Sequence, residues 1–196
     1  MNNMKPQQKG IALIFVLLIL VVVSLLGVGG AQLAMIGEKG ARNERDTQIA
    51  KQYAEAALVD AEFDIRGPNS YSAQRMDAFN SVSNFAEGCG TAGSVQGLCA
   101  QSFTGKPVWL TADFMNNTST APYSKMGQYT GRTIVPGNGI QPALEPRYIV
   151  EALPDSSTGT ERGLKAKTKI LHRVTSMGFG PRSDIQTVLQ MVFRKE

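Results

Sequence analysis

The hydrophobic pattern of this chain changes its period twice, and each period predicts a different element. From Ile11 to Val28 there is no charged residue, and only Ser24 and Gly27 interrupt the apolar run. At about 1.5 Å per helical residue, these 18 residues span roughly 27 Å, close to the hydrocarbon thickness of a bilayer. Farther along, Ala50, Ala54, Ala57, Leu58, Ala61 and Ile65 recur at spacings of three and four, the stripe of an amphipathic helix. Lys51, Glu55, Asp60, Glu62 and Asp64 are assigned to the opposite, solvated face. Gly67-Pro68 ends the helix, because proline cannot continue it. One helix is therefore predicted over about 11–66, roughly 84 Å long at the α-helical rise. A core built by one small domain cannot cover such a rod. Its first half must lie in lipid or against other copies.

After Pro68 the pattern is irregular. Met76, Phe79, Val82 and Phe85 at spacings of three predict a short helix within Tyr71–Phe85. Pro122, Pro136, Pro142 and Pro146, with several glycines, predict a long loop rather than a second domain. Trp109 and Tyr123 are read as anchors of a small core. The last 50 residues switch to period two. Tyr148–Leu153, Lys169–Met177 and Ile185–Phe193 read as strands separated by turn clusters, and the third alternates apolar residues with Gln186, Gln190 and Arg194. A meander of this kind needs a cover for its apolar face, and the Ala54–Ile65 stripe supplies one. The predicted class is α+β: a long N-terminal helix packed on a C-terminal antiparallel sheet.

Charge orients the apolar run. Lys5 and Lys9 precede it and no basic residue follows until Lys39, which puts the N-terminus on the cytoplasmic side and the rest across the membrane. Three fates fit the run at this level: an uncleaved anchor, a signal peptide cut at Gly29-Gly30-Ala31, or a cut at Gly10 that leaves the helix in the mature chain. The formal charge of +4 over 196 residues falls to +2 without Lys5 and Lys9, too little to argue for nucleic acid. Cys89 and Cys99 are the two cysteines of a chain read as exported, so a disulfide between them is expected across the glycine-rich loop.

Little in the chain suggests chemistry. His172 is the single histidine and lies mid-strand. Two cysteines and one histidine do not make a four-ligand zinc site, and their spacing is not that of a redox CxxC. No nucleophile elbow or phosphate loop is present, and Gly137-Asn138-Gly139 and Gly178-Phe179-Gly180 read as turns. Asp155 and Glu161 could hold calcium only weakly, and Asn116-Asn117-Thr118 is an uninformative glycosylation triplet. An enzyme, a cofactor and a metal site are therefore not expected. Gly27, Gly29, Gly30, Gly37 and Gly40 make the middle of the helix locally weak, suited to close helix contact or to unwinding. Glu38, Lys39, Arg42, Glu44, Arg45 and Asp46 follow the run with mixed sign and suit inter-subunit pairs that fix axial register.

The leader Met1–Gly10, the hexad Gly10-Ile11-Ala12-Leu13-Ile14-Phe15, and Gln52-Tyr53-Ala54-Glu55-Ala56-Ala57-Leu58 with Asp60-Ala61-Glu62 resemble the N-terminal helix of PilX-type minor pilins. Pro146–Glu151, His172–Gly180 and Val188–Gln190 resemble the same family. The resemblance implies a type IV pilin-like fold: leader 1–10, membrane and assembly helix 11–34, and head 35–196. It further implies cleavage by a prepilin peptidase between Gly10 and Ile11, N-methylation of Ile11, and passage from the inner membrane into a pilus through an assembly platform. The implied partners are other major and minor pilins, bound through the helix. Most pilins carry Glu at the fifth mature position, where this chain has Phe15. A subunit without that acceptor suits the tip or initiation of a fibre. The roles implied are pilus assembly, twitching motility and adhesion. The alternatives are a pilus-associated adhesin contacting host or bacterial surfaces, a DNA-binding minor pilin, or a pseudopilin of type II secretion.

Overall fold

The computed structural model describes residues 11–67, 73–135, 137–154 and 170–195. Helix α1 runs unbroken over Ile11–Arg66. Gly67 closes it: at φ +59° it adopts the left-handed conformation that side chains disfavour, and its N–H donates to the Phe63 carbonyl at 3.0 Å. The chain divides into two compact units between Arg45 and Asp46. The first holds the apolar part of α1. The second holds the rest of α1 and everything after it.

In the second unit, the short helix α2 spans Ala73–Ala78 and is followed by a 3-10 turn at Val82–Asn84. The period-three apolar positions thus form two short pieces rather than one helix. Next come β1 (Leu98–Ala100), helix α3 (Val108–Thr111) and β2 (Ser124–Lys125), and then three long strands. These are β3 (Arg147–Pro154), β4 (Ile170–Phe179) and β5 (Gln186–Arg194), joined as the expected antiparallel meander. The turn cluster from Asp155, with its weak calcium candidate, lies outside the described residues.

The sheet is mixed, not purely antiparallel. Its order is β1-β3-β4-β5, with β1 parallel to β3 and β2 antiparallel to it. The parallel strand comes from the middle stretch read as loop. Three residues, Leu98-Cys99-Ala100, are too few to show a strand period.

Both faces of the sheet are covered at β3, while β5 keeps one face exposed. On one, Ala57, Ala61 and Ile65 of α1 pack with Tyr148, Val150, Val174, Leu98 and Phe79. On the other, Val108, Phe114, Ala121 and Tyr123 pack with Ile149 and Cys99, and Trp109 lies partly buried beside them. β3 is central and covered twice, which is why Tyr148-Ile149-Val150 is a continuous apolar run rather than an alternation. The stripe on α1 is buried as expected. Asp60 and Asp64, expected on the solvated face, are fully buried as well. Asp64 follows Ala57 by seven residues, about two helical turns, so it returns to the packed face.

Candidate functional site

The apolar part of α1 shows its side chains to the surroundings. Ile11 is 68% exposed, Phe15 62% and Leu33 72%, and the first charge after Ile11 is Glu38. Ser24 bonds the Leu20 carbonyl at 2.7 Å, so its hydroxyl is satisfied within the helix. Among the described residues, this is the one helix long and apolar enough to cross a membrane. Ile11 is its first residue, and Gly10 lies outside the described residues. A Cβ added at Gly27, Gly29, Gly30, Gly37 or Gly40 would meet nothing within 4 Å. Past the run, Arg42 pairs with Glu38 one turn back, an exposed pair contributing a few tenths of a kcal/mol at most.

Within the head, α1 and the sheet touch backbone to backbone. A Cβ on Gly178 would lie 2.1 Å from the Ala50 carbonyl oxygen and 2.3 Å from the Ala54 nitrogen. Gly178 is therefore not the turn glycine expected from sequence but a strand residue that lets the helix approach. Ser176, two residues earlier on the same face, donates to the Ala54 carbonyl at 2.9 Å.

Farther along α1 the anchor is ionic. Asp64 accepts from Arg75 Nη2 at 2.8 Å and from the Tyr148 hydroxyl at 2.9 Å, with all three residues fully buried. Burial opposes the charge on Arg75, but the Asp64 carboxylate more than offsets this and raises its pKa. Burial, with Asp64 adding to it, pushes the Tyr148 phenol well up. Asp60, one turn earlier, accepts from the Gly127 N–H at 2.8 Å and from the Thr130 hydroxyl, and faces Arg132 at 3.8 Å. Burial raises its pKa, and those two hydrogen bonds pull it back. The turn Gly127–Arg132 is thereby tied to the helix. With Tyr53 it walls a groove of about 470 Å³ lined by Met126, Ile134 and Leu144.

Cys89 and Cys99 form a disulfide with Cα atoms 4.0 Å apart. It closes a ring whose backbone faces Arg75. Arg75 Nη1 donates to the Ser94 carbonyl at 2.7 Å and the Gln96 carbonyl at 2.9 Å, and Nη2 also reaches Ser124 Oγ at 3.2 Å. The Tyr129 ring lies 3.9 Å from the guanidinium and its hydroxyl donates to the Gly93 carbonyl of the same ring. With Nε on Asp64, all five N–H groups of Arg75 are used.

Two further polar groups are buried in the sheet. Arg147 lies between the Tyr123 and Phe179 rings, at 4.6 and 5.2 Å, and donates to the Phe114 carbonyl and Asn117 Oδ1. Burial lowers its pKa. His172 packs edge-on to Phe79 with centroids 5.8 Å apart, and both of its ring nitrogens are buried. Burial, opposed by the Phe79 backbone and aided by Lys195, lowers its pKa to about 4. A neutral imidazole closed in by aromatics is a core side chain. Sequence reasoning missed Arg75, Arg147 and the two buried aspartates. The seven-residue step from Ala57 was the one signal for Asp64, whereas the two arginines are buried by contacts distant in sequence.

Residues 9–59 match the family model described as PilX N-terminal, and residues 95–195 match the one described as type IV pilus assembly protein PilX C-term. The chain belongs to the PilX family. No curated protein and no solved structure gives a significant match. The N-terminal match covers the apolar helix and the start of its docked stripe. The C-terminal match covers all five strands. PilX membership makes this chain a minor pilin of a type IV pilus, a structural subunit whose contacts are with other pilins. Asp60, Asp64, Arg75 and Cys89 of this PilX-family protein fall between the two matched segments.

Proposed function

We propose that this PilX-family minor pilin is held in the inner membrane by residues 11–34 of α1, N-terminus cytoplasmic, and enters the pilus when the assembly platform draws that helix out of lipid. A prepilin peptidase cuts between Gly10 and Ile11, and Ile11 becomes the N-methylated first residue. Residues 35–196 form the head. The observation that carries this reading is the bare apolar half of α1, continuous in one helix with a stripe that the head buries. Such a half-helix exchanges lipid for apolar neighbours at little net cost, which makes assembly reversible. Head charges over Glu38–Asp46 set the axial position of the subunit against its neighbours.

Phe15 supports a place at or near the tip. A carboxylate at that depth would be expensive unless a neighbour's terminal amine met it. This chain has no such acceptor at that position and need not follow another copy. On this reading it helps initiate fibres and so supports twitching motility and adhesion. The intact mass of the mature chain tests the processing step: a start at methylated Ile11 is expected, and any other start refutes it. Gly10→Val should leave the leader in place, whereas a simple membrane anchor would tolerate that change.

A further inference from the structure

We infer that the Cys89–Cys99 disulfide is a latch that controls how firmly the last turns of α1 are docked, and that Arg75 transmits it. The disulfide lies on the face of the sheet away from α1, since Cys99 packs with Ile149, Val108 and Tyr123. The pair it influences lies on the other face. The connection is made through backbone. The ring between the cysteines presents the Ser94 and Gln96 carbonyls to Nη1 of Arg75 and the Gly93 carbonyl to the hydroxyl of Tyr129, whose ring covers the guanidinium. The other side of the same guanidinium holds Asp64 of α1. Gln96 Oε1 also accepts from Gln128, and the Gln96 carbonyl from Ser124, so the ring sits at the centre of the polar contacts around Arg75.

A fully buried guanidinium needs every one of its acceptors in place, because a buried charge that loses partners costs far more than it contributes when satisfied. Gly90, Gly93 and Gly97 leave this ring many backbone shapes, whereas Cys89 at φ +73° is held where non-glycine residues rarely go, so the disulfide acts together with the Gly97 N–H bond to the Gly90 carbonyl at 2.9 Å to fix the observed one. The covalent closure therefore limits the shapes available to it. When the bond forms, the thiols of Cys89 and Cys99 give two electrons and two protons to a disulfide oxidant of the thiol–disulfide exchange class, which leaves as a dithiol. When the bond is absent, the ring carbonyls are free to leave Arg75, and the Arg75–Asp64 pair is left partly unsatisfied. The last turns of α1 then loosen while the seam at Ala50 and Ala54, held by Gly178 and Ser176, stays closed. Oxidation after export thus completes the docking of the helix on which assembly depends.

Hydrogen exchange on the full-length chain in detergent micelles tests this, comparing the oxidised protein with the Cys89→Ala/Cys99→Ala variant and with wild type under graded reductant. Amides of residues 60–66 should exchange about tenfold faster or more without the bond, as should 90–98, while 48–56 stay protected. In Arg75→Met, residues 60–66 should exchange fast already, and loss of the disulfide should add nothing there. Faster exchange confined to 90–98 overturns the latch. So does an equal rise over all of 46–195, which would make the disulfide a global staple. If the cysteine variant does not fold, the reductant series on wild type gives the same comparison. None of these readouts depends on whether the subunit reaches a pilus.

Discussion

Gly178→Ala adds one methyl group where α1 meets β4, and its consequence follows from two distances. The new Cβ would lie 2.1 Å from the Ala50 oxygen and 2.3 Å from the Ala54 nitrogen. Ordinary contact is about 3.4 Å, so the helix and strand must part by roughly 1 Å, and neither backbone can swing aside as a side chain would. Overpacking of this kind costs about 1–3 kcal/mol. The Ser176 bond to the Ala54 carbonyl, now 2.9 Å, stretches past bonding range and adds about 1 kcal/mol. The expected loss is about 3 kcal/mol, or roughly 6–12 °C in melting temperature for a head of this size. Thermal unfolding of the full-length protein in detergent, followed by circular dichroism, measures it. Gly37→Ala is the control: its Cβ meets nothing within 4 Å, and helix propensity predicts a gain of about 0.5–1 kcal/mol. A Gly178→Ala melt within 2 °C of wild type would refute the claim that the two backbones touch.

Asp64→Asn should cost about 3–5 kcal/mol by urea unfolding, because Arg75 keeps a buried charge without its counter-ion. Replacing the pair together, Asp64→Leu with Arg75→Leu, should cost clearly less, and an equal loss in both variants would show that the charge balance is not what matters. Acid should weaken the head through His172. Its folded pKa of about 4 lies below the ordinary 6.5, so the unfolded chain takes up the proton first. This contribution is intact above pH 6.5 and drains away as pH falls toward 4, by at most about 3 kcal/mol. His172→Phe should flatten that part of the stability–pH curve, and an unchanged slope would remove His172 as the cause.

The large elements were visible in sequence because each has one dominant period. The apolar run from Ile11, the three-and-four spacing of Ala50 to Ile65 and the alternation in Gln186–Arg194 each sum over many residues, and local pattern suffices for them. The pairing of Cys89 with Cys99 was also legible, because the chain offers no other choice. The family resemblance rested largely on these helix and strand stretches, and the matched segments cover the apolar run, the stripe as far as Leu58 and the strand Gln186–Arg194.

The middle was not legible. β1 is three residues long and exists because β3 offers it a parallel edge, and the small core expected around Trp109 and Tyr123 proved to cover the second face of β3. Polar residues were misplaced for a related reason. Composition sends Asp60, Asp64, Arg75 and Arg147 to water, since isolated charges are costly to bury. They are inside because carbonyls, hydroxyls and rings from distant parts of the chain converge on them, and only the folded backbone decides that convergence. The sequence by itself determined which helix would be apolar, where it would stop and which strands would follow. The tertiary structure alone decided how helix and sheet are joined, because that joint depends on a missing side chain at Gly178 and on an ion pair between residues that no local pattern connects.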